Sequence, residues 1–455
     1  MTAAPAVSAS NQDTIVAVAT APGEGAIGIV RLSGPEAVSI ASRHCPTRPP
    51  LEKLEDRRLT LCSFAIDQQP VDDLLVVVMR APRSYTGEDT VELHAHGGRA
   101  LIAQILGALE STGARQADPG EFTRRAFMNG KLDLTQAEAV MDLIQARTDI
   151  SLKAAYFQLR GGQKDRFEHI RSTLRQALVL LEAQLDFSED VDVDNRVLRG
   201  TLEEARQAIT DQLHSYATGK RVREGARVAL CGQPNVGKSS LLNALLQEER
   251  AIVTHVAGTT RDTIVESVNL DGVSVTLTDT AGLRATEDPI EREGNRRSEL
   301  AISSADLILR VVDGHHPPDP VDLEFLEAHQ DRSILVVNKE DLGVDSSWGE
   351  SPHVQEVRIS ARDRTGLDEL RSLVRARCLG EGNPVEAITH ERHAVLLEQS
   401  CAAIQRAVQA LSDEAPWEIV SLEVRESTSA LDRILGETTP QDTLDSIFTS
   451  FCIGK

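Results

Sequence analysis

The sequence predicts a multidomain protein: an α+β N-terminal domain, a discontinuous α-helical domain, and an α/β domain inserted into the helical one. Three observations predict it. Short β-rich runs separated by Gly and Pro turns fill the first part of the chain. Apolar residues at steps of three and four recur on both sides of a middle segment. That middle segment alternates strand-like and helical runs, the pattern of a doubly wound parallel sheet.

The elements follow in order. At roughly 100–200 residues per domain, 455 residues allow two to four domains. Strand-like runs occupy 14–19, 26–32, 74–79 and 90–94, and a helix is expected over 100–112. The helical regime opens at 134–147, where Thr135 and Glu138 read as a capping box. Phe167, Ile170, Leu174, Leu178, Leu181 and Leu185 make one stripe on a long helix, and 198–216 reads as a second. Strand-like runs at 228–231, 273–278, 307–312 and 334–337 alternate with helical ones until about residue 379, and 380–384 reads as a linker. Leu397, Cys401, Ile404, Val408 and Leu411 then resume the helical stripe. The expected boundaries are 1–128 for the N-terminal domain, 129–224 and 381–455 for the two helical parts, and 225–380 for the insert.

Composition excludes several classes. Lys and Arg number 48 against 70 Asp and Glu, a net charge of −22. A protein binding nucleic acid by broad phosphate neutralisation would be basic, so any such contact is local or shared with a partner. Aromatics at 3% disfavour base-stacking platforms. The six cysteines form no CxxC pair, which argues against a zinc site or disulfide scaffold and fits a reducing cytosol. No apolar run approaches the roughly 18 residues of a membrane span, and the N-terminus lacks a signal-peptide pattern. A cytoplasmic location is expected.

Gly232-Gln-Pro-Asn-Val-Gly-Lys-Ser239 follows a predicted strand and opens a helix, as a phosphate-binding P-loop requires. Its glycines let backbone N–H groups approach phosphates, Lys238 adds a point charge, and the Ser239 hydroxyl suits Mg²⁺. Asp279-Thr280-Ala281-Gly282 ends a strand, as a switch element does, and Asn338-Lys339-Glu340-Asp341 ends another. A carboxylate at Asp341 accepts from the two N–H donors of guanine, which adenine does not present. Ser360-Ala361 reads as the last guanine element. Their order and placement resemble the Ras-like P-loop GTPase superfamily, so GTP is the expected nucleotide. Two departures matter. Leu283 stands where Ras has its water-orienting glutamine. Asn235 sits in the P-loop, which in a subset of GTPases goes with a bound potassium ion; Gly258-Thr-Thr-Arg-Asp262 resembles that subset's switch, with Thr260 placed to reach Mg²⁺.

The likeness extends along the chain. Pro82-Arg-Ser-Tyr-Thr-Gly-Glu-Asp89, His96-Gly-Gly98, Pro119-Gly-Glu-Phe-Thr-Arg-Arg-Ala126, Asn129 to Glu138 and Phe451-Cys-Ile-Gly-Lys455 resemble the MnmE (TrmE) family of tRNA modification GTPases. The resemblance implies a homodimer built through a folate-binding N-terminal domain. It implies a heterotetramer with an FAD-dependent partner, MnmG (GidA), acting on tRNA. Together they would add an aminomethyl or carboxymethylaminomethyl group to carbon 5 of the wobble uridine. The one-carbon donor would be a tetrahydrofolate derivative, the 5-formyl or 5,10-methylene form, and GTP hydrolysis with Mg²⁺ and K⁺ would drive opening and closing.

By the same resemblance the GTP-binding residues are Asn235, Val236, Gly237, Lys238, Ser239, Ser240, Thr254, His255, Val256, Ala257, Gly258, Thr259, Asp279, Thr280, Ala281, Gly282, Asn338, Lys339, Asp341, Ser360 and Ala361. Potassium would lie on Asn235, Thr254, Val256 and Thr259, and magnesium on Ser239 and Thr260. Glu291 is the expected water-positioning residue, with Glu287 its competitor. The folate site would use Arg31, Glu88, Lys131 and Lys455, the cations suiting folate carboxylates and Glu88 the pterin N–H edge. Cys452 reads either as a thiol acting near folate or uracil, or as a small residue at a docked C-terminus; a prenylation box fits poorly, because Gly454 is not aliphatic.

Blander features complete the reading. The acidic run 186–194 fails EF-hand spacing and reads as a solvated helix end. Lys220, Arg221, Arg223 and Arg227 read as a charged linker or a phosphate contact. Arg124 and Arg125 read equally as folate-side, tRNA-side or structural. His94 and His96 are expected to flank a turn without metal-ligand partners. The alternative function is an Era/Der-like switch GTPase in ribosome assembly, which needs neither the N-terminal domain nor Cys452.

Overall fold

The computed structural model describes residues 13–187, 194–248, 265–279, 299–348, 354–380 and 382–455. The chain groups into two compact units, Met1–Met141 with Asp432–Lys455, and Asp142–Leu431.

The first unit holds a six-stranded sheet: β1 (Ile15–Val18), β2 (Gly25–Ser33), β3 (Thr60–Ile66), β4 (Gln69–Met79), β5 (Thr90–Gly97) and β6 (Arg115–Gln116), in the order β3-β4-β5-β2-β1-β6. Its pairs are antiparallel except the parallel β1/β6 edge. Alternation sorts the side chains. Val30, Leu32, Val91, Leu93, Val76 and Phe64 point into one core with α1 (Ala37–His44) and α2 (Arg99–Ser111). The intervening positions of β2 and β5 carry Arg31, Glu92 and His94 on the other face, so this sheet has one apolar and one polar side there. His94 and His96 lie within β5 rather than beside a turn. His94 Nε2 meets Glu92 at 3.2 Å and His96 Nδ1 meets Asp72 at 2.7 Å.

Next come α3 (Glu121–Met128) and α4 (Leu134–Gln145). The cap of α4 lies two residues earlier than expected. Asp133 accepts from the Gln136 amide at 3.0 Å, and Gln136 Oε1 accepts from the Asp133 amide at 3.0 Å. The box is therefore Asp133/Gln136; Thr135 and Glu138 are buried within the helix.

The second unit contains α5 (Asp149–Leu159), α6 (Gly162–Asp186) and α7 (Asn195–Glu224). The α6 stripe buries Phe167, Ile170, Leu174 and Leu181 as its period demands. Of the acidic run 186–194, Asp186 ends α6 and Asp194 caps α7, accepting from the Arg196 amide at 2.8 Å; 188–193 lie outside the described residues. The basic cluster is not a linker. Lys220 lies in α7 and Arg221 and Arg223 in its last turn, where cations suit the carbonyl end of a helix, and Arg227 lies in the strand that follows, Ala226–Cys231. Arg221 donates to the Cys378 carbonyl at 2.9 Å and lies 3.6 Å from Asp306.

After α7 the chain enters a second six-stranded sheet. Its strands are β7 (Ala226–Cys231), β8 (Val265–Leu270), β9 (Val273–Asp279), β10 (Leu307–Asp313), β11 (Ser333–Asn338) and β12 (Gln355–Arg358), in the order β12-β11-β10-β7-β9-β8. Five strands are parallel and β8 runs antiparallel to β9. The near-continuous apolar runs of β7, β10 and β11 follow from burial on both faces. Helices α8 (Lys238–Glu248), α9 (Pro320–Ala328) and α10 (Leu367–Leu379) belong to this domain. The chain closes with α11 (Glu391–Ser412), α12 (Trp417–Leu435) and α13 (Gln441–Thr449).

Candidate functional site

The carboxyl ends of β7, β10 and β11 converge on one loop cluster, the place where open α/β sheets bind ligands. The chain leaves β7 at Cys231, turns through Gly232 to Gly237 and enters α8 at Lys238. At Gly237 the backbone has φ +99°, and a Cβ there would sit 2.2 Å from Asn338 Nδ2. Only glycine fits this conformation and spacing. Asn235 adopts φ +66°, a left-handed conformation that Asn tolerates better than most residues. Gln233 Nε2 donates to Asp319 Oδ2 at 2.8 Å, and Asp319 also caps α9.

Lys238 is buried, and its ammonium donates to the carbonyls of Gly232 at 2.8 Å and Gln233 at 2.6 Å. A cation held inside the loop by neutral carbonyls, at a helix N-terminus, is ready for a phosphate. Ser239 and Ser240 are exposed on the first turn of α8. Asn338 ties two loops together. It is 2% exposed; its Nδ2 donates to the Val236 carbonyl at 2.8 Å and its Oδ1 accepts from the Ala361 amide at 3.0 Å. Lys339, at φ +68°, reaches Asp313 Oδ2 at 2.7 Å. Burial raises Asp313, but Lys339 and the His315 amide bring its carboxyl below the usual range. Ser360 Oγ donates to Asp341 Oδ1 at 2.7 Å and accepts from the Asp363 amide at 3.1 Å. One Asp341 oxygen is thus oriented from behind by a hydroxyl.

Asp279 ends β9, with its backbone opposite Leu230. Thr254, His255, Val256, Ala257, Gly258, Thr259, Thr260, Thr280, Ala281, Gly282, Leu283, Glu287 and Glu291 lie outside the described residues.

The N-terminal unit gathers the other expected residues. Arg31 Nε lies 2.8 Å from Glu92 Oε1, and its guanidinium carbon is 5.9 Å from the Tyr85 ring centre and 5.7 Å from that of Phe122. Glu88 is engaged: Ser33 Oγ donates to it at 2.7 Å, and Arg125 lies 3.3 Å away. Arg125, buried, also pairs with Asp13 at 2.6 Å and Glu121 at 3.0 Å, which makes it structural beside the expected folate acid. Arg124 pairs with Asp445 at 3.0 Å. Lys131 Nζ donates to the Pro82 carbonyl at 3.0 Å and its stem packs on Gly87.

The C-terminal tail is docked. The Phe122 amide donates to the Lys455 carbonyl at 3.1 Å and Arg31 Nη1 to the Gly454 carbonyl at 3.4 Å. Gly454, at φ +92°, has its missing Cβ 2.1 Å from the Val18 carbonyl, so no other residue fits. Burial, then the charge of Arg31, pushes the Lys455 ammonium down from its ordinary value. Cys452 is exposed and lines a largely apolar cavity of about 1070 Å³ with Ile453, Ile27, Ile102 and Leu106. Sequence reasoning missed Glu92, because its role depends on the β2/β5 register. Among the described residues there is no group of three or more metal-ligating side chains, and no helix is long and apolar enough to cross a membrane.

A glycine-turn phosphate cradle after β7 and a base-side Asn-Lys-x-Asp loop after β11, on parallel strands of one sheet, define a P-loop GTPase. Comparison with known proteins narrows the class. The model described as MnmE helical domain matches residues 134–452, and that described as GTP-binding protein TrmE N-terminus matches residues 14–131. The chain is 42% identical to the tRNA modification GTPase MnmE of Syntrophotalea carbinolica, over 98% of this chain and 100% of that protein. It is 43% identical to that of Geobacter sulfurreducens, over 98% and 99%. A crystal structure of an Era variant of Aquifex aeolicus with GDP and aluminium fluoride is 28% identical over 39% of this chain and 66% of that one, with a TM-score of 0.28. The chain belongs to the MnmE family.

Proposed function

We propose that this chain is a potassium-activated GTPase whose cycle serves modification of carbon 5 of tRNA wobble uridines, with a tetrahydrofolate derivative at the N-terminal unit and FAD on a separate partner. The docked tail carries this reading. It brings Lys455 beside Arg31 and sets Cys452 in the wall of an apolar cavity, in the same chain as a guanine-nucleotide cradle. A ribosome-assembly switch of the Era/Der kind has no use for that arrangement.

In this reading Lys238 leaves the Gly232 and Gln233 carbonyls for the β- and γ-phosphates. Asp341, oriented by Ser360, accepts from guanine, and Ser239 and Thr260 would hold a Mg²⁺ ion that would supply charge neutralisation at the phosphates. Asn235, Thr254, Val256 and Thr259 would hold a potassium ion supplying the positive charge of an arginine finger, and Glu291 would position the attacking water. Arg31 and Lys455 take folate carboxylates, Lys131 borders the same loop, and Glu88, held by Ser33 and Arg125, faces the pterin edge. Cys452, in the cavity wall, would act near the folate or the uracil. The protein works as a homodimer, as a heterotetramer with the FAD-dependent partner, and in the cytoplasm.

The test uses the full chain. GTP hydrolysis is measured in potassium and in sodium chloride, and 5-formyltetrahydrofolate is titrated calorimetrically. Faster hydrolysis in potassium together with stoichiometric folate binding is expected. Equal rates in the two salts would remove the potassium claim, and absent folate binding would favour the Era/Der reading.

A further inference from the structure

Beside Arg31, the outer face of β5 carries two side chains, Glu92 and His94, that the folate reading does not use. Arg31 and Glu92 are direct cross-strand partners, so the register itself sets them side by side. Glu92 Oε1 takes Arg31 Nε at 2.8 Å. Its second oxygen faces His94 Nε2 at 3.2 Å, two residues along the same strand. Glu92 is thereby held from both ends, and its side chain is 17% exposed.

On the far side of the guanidinium, Nη1 donates to the Gly454 carbonyl, and the rings of Tyr85 and Phe122 border its carbon. The fork of Arg31 is therefore gripped by its Nε edge, while its Nη edge faces the tail and Lys455. A guanidinium offers a planar fork only if its torsions are fixed, and a carboxylate on Nε fixes them without occupying both Nη groups.

We propose that Glu92, backed by His94, is a positioning residue: it aims the Nη edge of Arg31 both at a carboxylate of a bound ligand and at the Gly454 carbonyl. This rests on the folate reading of the N-terminal unit. One guanidinium then anchors the anionic ligand and the tail that bears Cys452, so ligand occupancy and tail order are coupled. The Glu92 charge also partly opposes the depression of Lys455 by burial and Arg31. A carboxylate beside an anion site would by itself repel the ligand. The arrangement makes sense because Glu92 sits behind Arg31.

The test is a double-mutant cycle on the full chain. Affinity for 5-formyltetrahydrofolate is measured calorimetrically in wild type, Glu92→Gln, Glu92→Ala, Arg31→Ala and Arg31→Ala with Glu92→Ala. Amide exchange of 120–124 and 451–455 is followed without ligand by mass spectrometry. Glu92→Ala is expected to weaken binding about tenfold, within the range of lost charge-assisted contacts. Glu92→Gln, which still accepts from Nε, should lose less, and on the Arg31→Ala background the Glu92 change should have almost no further effect. Both single alanine variants should speed tail exchange. Unchanged affinity in Glu92→Ala, or an equal loss on both backgrounds, would overturn the proposal. If the wild type binds no folate, the folate reading fails, and tail exchange decides alone: faster exchange in Glu92→Ala supports the Glu92–Arg31–tail linkage, and unchanged exchange defeats it.

Discussion

Replacing Asn338 by Ala removes a side chain that joins the phosphate loop to the last guanine loop. The Val236 carbonyl loses its donor and the Ala361 amide loses its acceptor. Asn338 is 2% exposed, so neither orphan has ready access to water. Each orphaned group costs about 1–3 kcal/mol. Some relief comes from water entering on the nucleotide side, which leaves about 2–4 kcal/mol. Both loops must be aligned in the nucleotide complex, so most of this loss falls on binding. At about 1.4 kcal/mol per tenfold, guanine-nucleotide affinity should fall about 30- to 700-fold. Equilibrium titration with a fluorescent GDP analogue measures it. Asn338→Asp keeps an acceptor for Ala361 but sets a carboxylate oxygen against the Val236 carbonyl, so it should be no milder. Wild-type affinity in Asn338→Ala would refute the idea that this clamp pre-orders the site.

Other outcomes follow from the same geometry. Asp341→Asn should weaken GTP and favour xanthosine triphosphate, because the acceptor facing the guanine N–H edge becomes partly a donor; equal GTP affinity in competition binding would sink guanine selection by Asp341. Asn235→Gly keeps the positive φ but removes the side-chain oxygen, so hydrolysis should lose its potassium stimulation while GDP still binds; stimulation that survives would assign Asn235 to backbone conformation alone. Glu291→Ala should slow single-turnover hydrolysis by about 10²-fold or more, as loss of a general acid–base group does, and the same loss in Glu287→Ala would shift the assignment. Burial raises Glu121, but Arg115, the Asp118 amide and Arg125 together leave its carboxyl below the usual value, and Asp13 is depressed likewise against its burial. A depressed folded pKa stabilises above the unfolded value of about 4.3 for Glu and is lost as pH falls through the lower folded one. The N-terminal unit should therefore loosen below about pH 4, and fluorescence-monitored melts of wild type and Arg125→Met should converge there.

Much of the fold was legible because its signals are local. The P-loop needs a few consecutive residues with special φ values and one charge, and the α6 and α11 stripes repeat every three or four positions. The β3 strand and α1 were not read from the sequence, since their apolar runs are short and their burial comes from the shared core with β4 and α2. The α4 cap shows the limit of spacing rules: Thr135/Glu138 and Asp133/Gln136 both fit a capping pattern, and the helix entry selects the second.

The candidate sites divide the same way. By itself the sequence determined the nucleotide cradle and the guanine loop, since each is a set of residue types in a recognisable order, whereas the folate candidates came only from the family resemblance. Only the tertiary structure decided that Asn338 bridges two loops, that Arg125 is spent on Asp13, Glu88 and Glu121, and that Glu92 grips Arg31 beside the docked tail. These contacts join residues up to 423 positions apart. Strand register and chain docking create them, and neither is written in the neighbourhood of any one residue.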